Sequence, residues 1–207
     1  MGYSTLADAV IDLEKAGKLV RIGEEISSDL EMAAVHRRIH AQGGPALFFE
    51  NIRGAAFPAV SNLFGTAERT QFLFRDALSQ IKDVFRLRIN PKAALHPRVA
   101  LNALRVGVHA LPRKLFLTPG FFETPLAQIP VIKSWPKDGG NFITLPLVYT
   151  EHPDKPGIMQ SNLGMYRVQT DGNEYQSGKT MGMHYQIHRG IGIHHTAAMR
   201  RGEPLKV

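Results

Sequence analysis

The feature that most limits what this chain can fold into is a change of texture near Pro125. Beyond it come four strand-like runs: "QIPVIKSW", "GGNFITLPLVYTEHP", "IMQSNLGMYRVQT" and "GMHYQIHRG". The separators "PKDGG", "EHPDKPG" and "TDGNEYQSGKT" are rich in Pro, Asp and Gly, the residues that close turns. Strands at such spacing pair with their neighbours in antiparallel fashion, in a barrel or a sandwich.

The part before it reads differently. Thr5 to Ala16 has helical periodicity, with Ser4 placed as N-cap and Gly17 just past the end. "KLVRI" (18–22) is a short strand. Ser28-Asp29-Leu30-Glu31 has capping-box spacing and opens a helix that stops at Gly43-Gly44. "ALFFENI" (46–52) and "FPAVSNLF" (57–64) are strand-length apolar runs, and one long helix is expected over Ala67 to Phe85. This is an α/β layer pattern. Residues 86–122 hold four prolines, with a helix around 97–110, and the domain boundary falls in this stretch. The expected class is α+β: an N-terminal α/β domain over 1–110 and a second, β-rich domain over 111–207.

Bulk properties exclude several function classes. A chain of 207 residues, 43% hydrophobic and 21% charged, can bury a real core. No apolar run approaches the roughly 20 residues that span a bilayer. The acidic start "MGYSTLADAVIDLEKAG" reads as a surface helix of a soluble protein rather than a leader. The absence of cysteine excludes disulfides and thiolate metal sites and is compatible with a cytoplasmic location. The net charge of +7 is spread, densest in "KDVFRLRINPK" (82–92), with no run of five basic residues. That favours a solvated basic face over a nucleic-acid footprint.

The polar residues of Ser161–Gly190 are the candidates for chemistry. On a strand, His184, Gln186 and His188 face one way and Met183, Tyr185 and Ile187 the other. The polar face is either an ordinary hydrogen-bonded surface or a ligand face. A helix would bring His184 and His188 together in a zinc-type HxxxH pair, but no Glu follows His184 and the alternation favours a strand. His194 and His195 are adjacent, cannot easily share one metal, and read as structural or surface residues. Asn162 offers a neutral oxygen suited to hard cations such as Mg or Mn. Arg167 faces away from Asn162 at a plain strand period, unless Asn162 sits in the turn or Gly164 carries a bulge. "KDGG" (137–140) lacks the spacing of a phosphate loop.

These residues carry a resemblance. "IPVIKSWPKDGGNFITLPLVYT", "NLGMYRVQ" and "MGMHYQIHRG", together with "LADAVIDLEKAGKLVRIGEEISSDLEMAAVHRRI", "GGPALFFENIRG" and "FPAVSNLFG", resemble the UbiD family of decarboxylases along essentially the whole chain. The likeness is closest to members of quinone biosynthesis, the menaquinone type among them. It implies a flavin-binding second domain of split β-barrel type. It also implies reversible, non-oxidative decarboxylation of an aromatic or α,β-unsaturated carboxylic acid with prenylated FMN.

By motif position the resemblance makes Asn162 and His188 ligands of a divalent ion, usually Mn, that grips the flavin phosphate. A monovalent cation (K) is an optional further ion. Leu163, Gly164 and Met165 would line the cofactor. Arg167 would lie beside flavin and substrate carboxylate in an Arg–Glu–Glu network. The third metal ligand and both glutamates of that network lie beyond the matched segment, and Glu174 and Glu203 do not stand in the matching motif. The resemblance thus implies the N-terminal portion of such an enzyme, inactive alone and completed by a homo-oligomer or a complementary C-terminal chain. Two further readings are a non-catalytic flavin- or phosphate-binding assembly module and a basic nucleic-acid-binding protein, the latter requiring steeply salt-dependent binding.

Overall fold

The computed structural model describes residues 2–110 and 123–207. Contacts divide the chain into two units. The first comprises 1–22, 36–49 and 60–121, and the second 23–35, 50–59 and 122–207. The expected boundary after residue 110 adjoins positions 111–122, outside the described residues.

The first unit begins with α1 (Leu6–Lys15). Its N-cap is Thr5, not Ser4: Thr5 Oγ1 accepts from the Asp8 N–H at 3.1 Å and Asp8 reaches back to the Thr5 N–H at 3.0 Å. This reciprocal box satisfies two donors that the first helical turn leaves unpaired. Ala9, Val10 and Leu13 of α1 pack with Leu19, Ala46 and Leu73 in the core. Strands β1 (Leu19–Ile22) and β2 (Ala46–Phe49) run parallel, and β3 (Ala59–Ser61) completes the order β1-β2-β3.

Three local expectations change. Helix α2 (Glu31–Ala41) begins two residues later than a Ser28 N-cap implies: Leu30 takes a left-handed φ of 66°, and the Glu31 carboxylate accepts from the Ser27 N–H at 2.8 Å. The run "FPAVSNLF" is a strand only over β3. Asn62 turns the chain with φ of 57°, a conformation that Asn tolerates better than most residues. The helix expected over 67–85 is two helices, α3 (Ala67–Leu73) and α4 (Arg75–Ile89), broken at Phe74. At that break Arg75 bonds the Phe72 carbonyl, the Tyr3 hydroxyl and Asp12, and its guanidinium lies 4.3 Å from the Phe72 ring centroid. Helix α5 (Pro97–Ala110) matches the helix expected around 97–110.

The second unit holds the turn-rich half together with two short stretches from the N-terminal half. Ile26 bridges Ile52, and Asp29 bridges Lys133. Its strands are β4 (Phe142–Ile143), β5 (Leu147–Glu151), β6 (Ser161–Met165), β7 (Arg167–Gln169) and β8 (Gly182–His184). They form an antiparallel sheet ordered β4-β7-β8 and an antiparallel ribbon β5-β6. The class is mixed α+β, and the described strands do not close a barrel.

The run "GMHYQIHRG" is a strand only to His184. Residues 187–188 turn, and α6 (Gly190–Arg200) follows, so His184 and His188 do not share a strand face. Glycine permits the change: a β-carbon on Gly192 would lie 2.3 Å from the Ile187 carbonyl oxygen, so only glycine lets the helix start this tightly against the turn before it. Ile187 is 76% exposed rather than packed on a core.

Candidate functional site

The chain changes sheets at Tyr166. Before it, β6 pairs with β5, bringing Asn162 opposite Thr150 and Gly164 opposite Val148. After it, β7 pairs with β4 and β8, bringing Arg167 opposite His184. Strand alternation places Val148, Thr150, Asn162 and Gly164 on one face of the ribbon. Leu147, Tyr149, Leu163 and Met165 occupy the other face, and all four are exposed.

Asn162 is held on the first face. Its Nδ2 donates to the Tyr166 hydroxyl at 2.9 Å. The Tyr166 ring reaches over the backbone at Gly164, where a β-carbon would lie 2.8 Å from it. With its nitrogen so engaged, the amide turns its oxygen toward Gly190, where a β-carbon would lie 2.2 Å from Oδ1. His188 is in the turn two residues earlier, with an exposed side chain. Gly164 therefore serves through its lack of a side chain, and Leu163 and Met165 point to the face opposite Asn162. Among the described residues no group of three or more His, Cys, Asp or Glu side chains is placed to hold a metal ion.

Arg167 stands in the other sheet. Its Nη2 donates to Asp138 Oδ2 at 2.9 Å, and its guanidinium carbon lies 3.6 Å from the Phe142 ring centroid. The same carboxylate oxygen accepts from the backbone N–H groups of Ser134 and Trp135 at 3.2 and 3.1 Å. Burial would raise the Asp138 pKa, but the Arg167 hydrogen bond and charge, with the two backbone donors, outweigh it and hold the carboxyl below its usual range. Sequence reasoning missed Asp138. An Asp ahead of Gly-Gly signals a turn whose carboxylate can take backbone N–H groups, but nothing local foretells an arginine 29 positions later.

His194 and His195 are engaged in contacts within the second unit. His194 in α6 is buried, and its Nδ1 pairs with Thr150 Oγ1 at 2.9 Å. His152 meets it edge-on, with ring centroids 5.2 Å apart. Burial, and then charge on His152, hold the His194 imidazole below the usual histidine range. His195 bonds the Tyr185 hydroxyl. The two histidines diverge as neighbours on a helix must.

Asn162 and His188 offer donor atoms of the kind a divalent ion accepts, and both lie close in sequence or space to Gly190. An amide oxygen and an imidazole are hard and borderline donors that suit such an ion, and Gly190 lets the Asn162 amide pack against the start of α6.

Two profiles of one family match the chain. The 3-octaprenyl-4-hydroxybenzoate carboxy-lyase N-terminal domain matches residues 10–88, and the Rift-related domain of the same enzymes matches residues 121–207. The chain belongs to the UbiD family. A relative from Chlamydia trachomatis is 37% identical over 98% of this chain and 35% of its own length. One from Chlamydia pneumoniae, named as a subunit of 4-hydroxybenzoate decarboxylase, is 35% identical over 92% of this chain and 32% of its own length. The chain thus spans about a third of the length of these relatives.

Among solved UbiD-class structures, the vanillic acid decarboxylase of Sedimentibacter hydroxybenzoicus in closed form superposes with a TM-score of 0.74. It is 20% identical over 99% of this chain and 42% of that one. The UbiD-class enzyme HmfF of Pelotomaculum thermopropionicum in complex with FMN superposes with a TM-score of 0.68. It is 23% identical over 97% of this chain and 40% of that one. At these identities the likeness is one of fold.

Proposed function

We propose that this chain is the N-terminal α/β domain (1–110) and the first part of the split-barrel flavin domain (111–207) of a UbiD-type decarboxylase. The reaction is the reversible, non-oxidative loss of carbon dioxide from an aromatic or α,β-unsaturated carboxylic acid, in quinone biosynthesis. Prenylated FMN, when bound, supplies the electron sink for the charge left behind. Asn162 and His188 supply two ligands of a divalent ion, Mn by preference, beside the flavin phosphate. Arg167 orients the substrate carboxylate, for which a planar guanidinium offers two parallel donors. Leu163 and Met165, exposed on the outer face of the ribbon, meet the cofactor or the protein surface that closes over it. The remaining glutamates come from a further segment or a complementary chain.

The observation that carries this reading is the orientation of Asn162. Its nitrogen is committed to Tyr166, which leaves its oxygen as a ligand atom beside the turn that bears His188. The test is reconstitution with Mn and prenylated FMN, with and without a glutamate-bearing C-terminal chain. Decarboxylation that appears only with the second chain supports the reading. Robust turnover by the bare chain overturns its incompleteness, and cofactor uptake with no turnover in either case favours an assembly module.

A further inference from the structure

Asp138 differs from an ordinary surface partner of an arginine. Its side chain is only 12% exposed, against 39% for Arg167. One carboxylate oxygen is tied to the N–H groups of Ser134 and Trp135, and the Asp138 N–H returns to the Trp135 carbonyl at 3.0 Å. The carboxylate is thus fixed to its own turn and cannot follow a moving guanidinium. Phe142, 3% exposed and in register with Gln169 of β7, fixes one face of the Arg167 guanidinium at 3.6 Å. A carboxylate at one terminal nitrogen and a ring on one face leave the guanidinium little freedom in tilt or in rotation.

We infer that Asp138 is a positioning residue for Arg167, holding its guanidinium so that the donors not used by Asp138 meet a substrate carboxylate in one orientation. This rests on the reading of Arg167 as the group that receives that carboxylate. A guanidinium carries five N–H donors, and the contact with Asp138 engages one nitrogen. Asp138 also lowers the net charge that an incoming acid meets, so it favours orientation at the expense of affinity. Removing its charge should leave acid binding equal or tighter while losing geometry. A purely structural residue would lose fold and affinity together.

The test compares wild type, Asp138→Asn and Arg167→Gln by NMR of the arginine side-chain N–H groups, with 4-hydroxybenzoate as the binding probe. The expected result is slowed guanidinium rotation at Arg167 in wild type, lost in Asp138→Asn, with the probe bound at least as tightly by that variant. Weakening of the probe by tenfold or more in Arg167→Gln completes the expected pattern. An equally ordered Arg167 in Asp138→Asn overturns the inference. So does free rotation in wild type, a measurement that needs no variant to fold. Unchanged probe binding by Arg167→Gln instead overturns the reading of Arg167 while leaving the Asp138 contact intact.

Discussion

A β-carbon on Gly190 would lie 2.2 Å from Oδ1 of Asn162, so the first residue of α6 and the amide of β6 leave no room for a side chain between them. Gly190→Ala must therefore displace the amide. Gly190 is the first residue of α6, where alanine gains less than the ~1 kcal/mol of a helix interior, so the melting temperature should fall by no more than a few degrees as the amide shifts. Mn and FMN titrations should nevertheless weaken about tenfold, the effect of losing one oriented ligand.

Tyr166→Phe removes the acceptor that fixes the Asn162 nitrogen. The expected cost is about 0.5–1.5 kcal/mol in urea unfolding. Mn affinity should fall as well, because the amide can then turn either atom toward the ion.

Arg69 is 4% exposed and donates to the backbone carbonyls of Gly44, Asn62 and Leu63. Arg69→Met would strip the Leu63 carbonyl of its side-chain donor and leave the Gly44 and Asn62 carbonyls with only Asn62 Nδ2 at 3.2 Å and the Gly65 N–H at 3.3 Å. Equilibrium unfolding should register a loss of roughly 2–4 kcal/mol.

Acid should weaken the second unit through His194. Its folded-state pKa is depressed, first by burial and then by His152, so the unfolded chain binds its proton more readily. Stability from the neutral imidazole is fully present above the unfolded value of about 6.5 and is lost as pH falls through the lower folded value. Urea midpoints at pH 8, 6.5 and 5 should decline in that order. His194→Gln should flatten its share of the decline, leaving that of His36 in the first unit, whose pKa is likewise lowered by burial and then by His40.

Much of this architecture was legible in the sequence, and the failures have physical causes. The βαβ start follows from alternating helical and strand patterns, and α5 matches the helix expected around 97–110, although the caps fall on other residues than those expected. The split of the 67–85 helix at Phe74 was not legible, because it accompanies contacts of Arg75 with Tyr3 and Asp12 in distant sequence. "GMHYQIHRG" alternates like a strand, yet pairing with β7 ends at His184, and Gly190 and Gly192 leave room for a helix to begin tightly against the turn. Asn162 and Arg167 were singled out by motif, whereas their supports, Tyr166 and Asp138, act through side-chain geometry that no spacing rule encodes.

The central claim is that Asn162 and His188 hold a divalent ion at the flavin phosphate. Electron paramagnetic resonance of Mn(II), titrated into the purified chain with FMN present, tests it most directly. FMN-dependent Mn binding is expected in wild type, at least tenfold weaker in both Asn162→Ala and His188→Ala. Mn binding of equal strength in wild type and the two variants would contradict it.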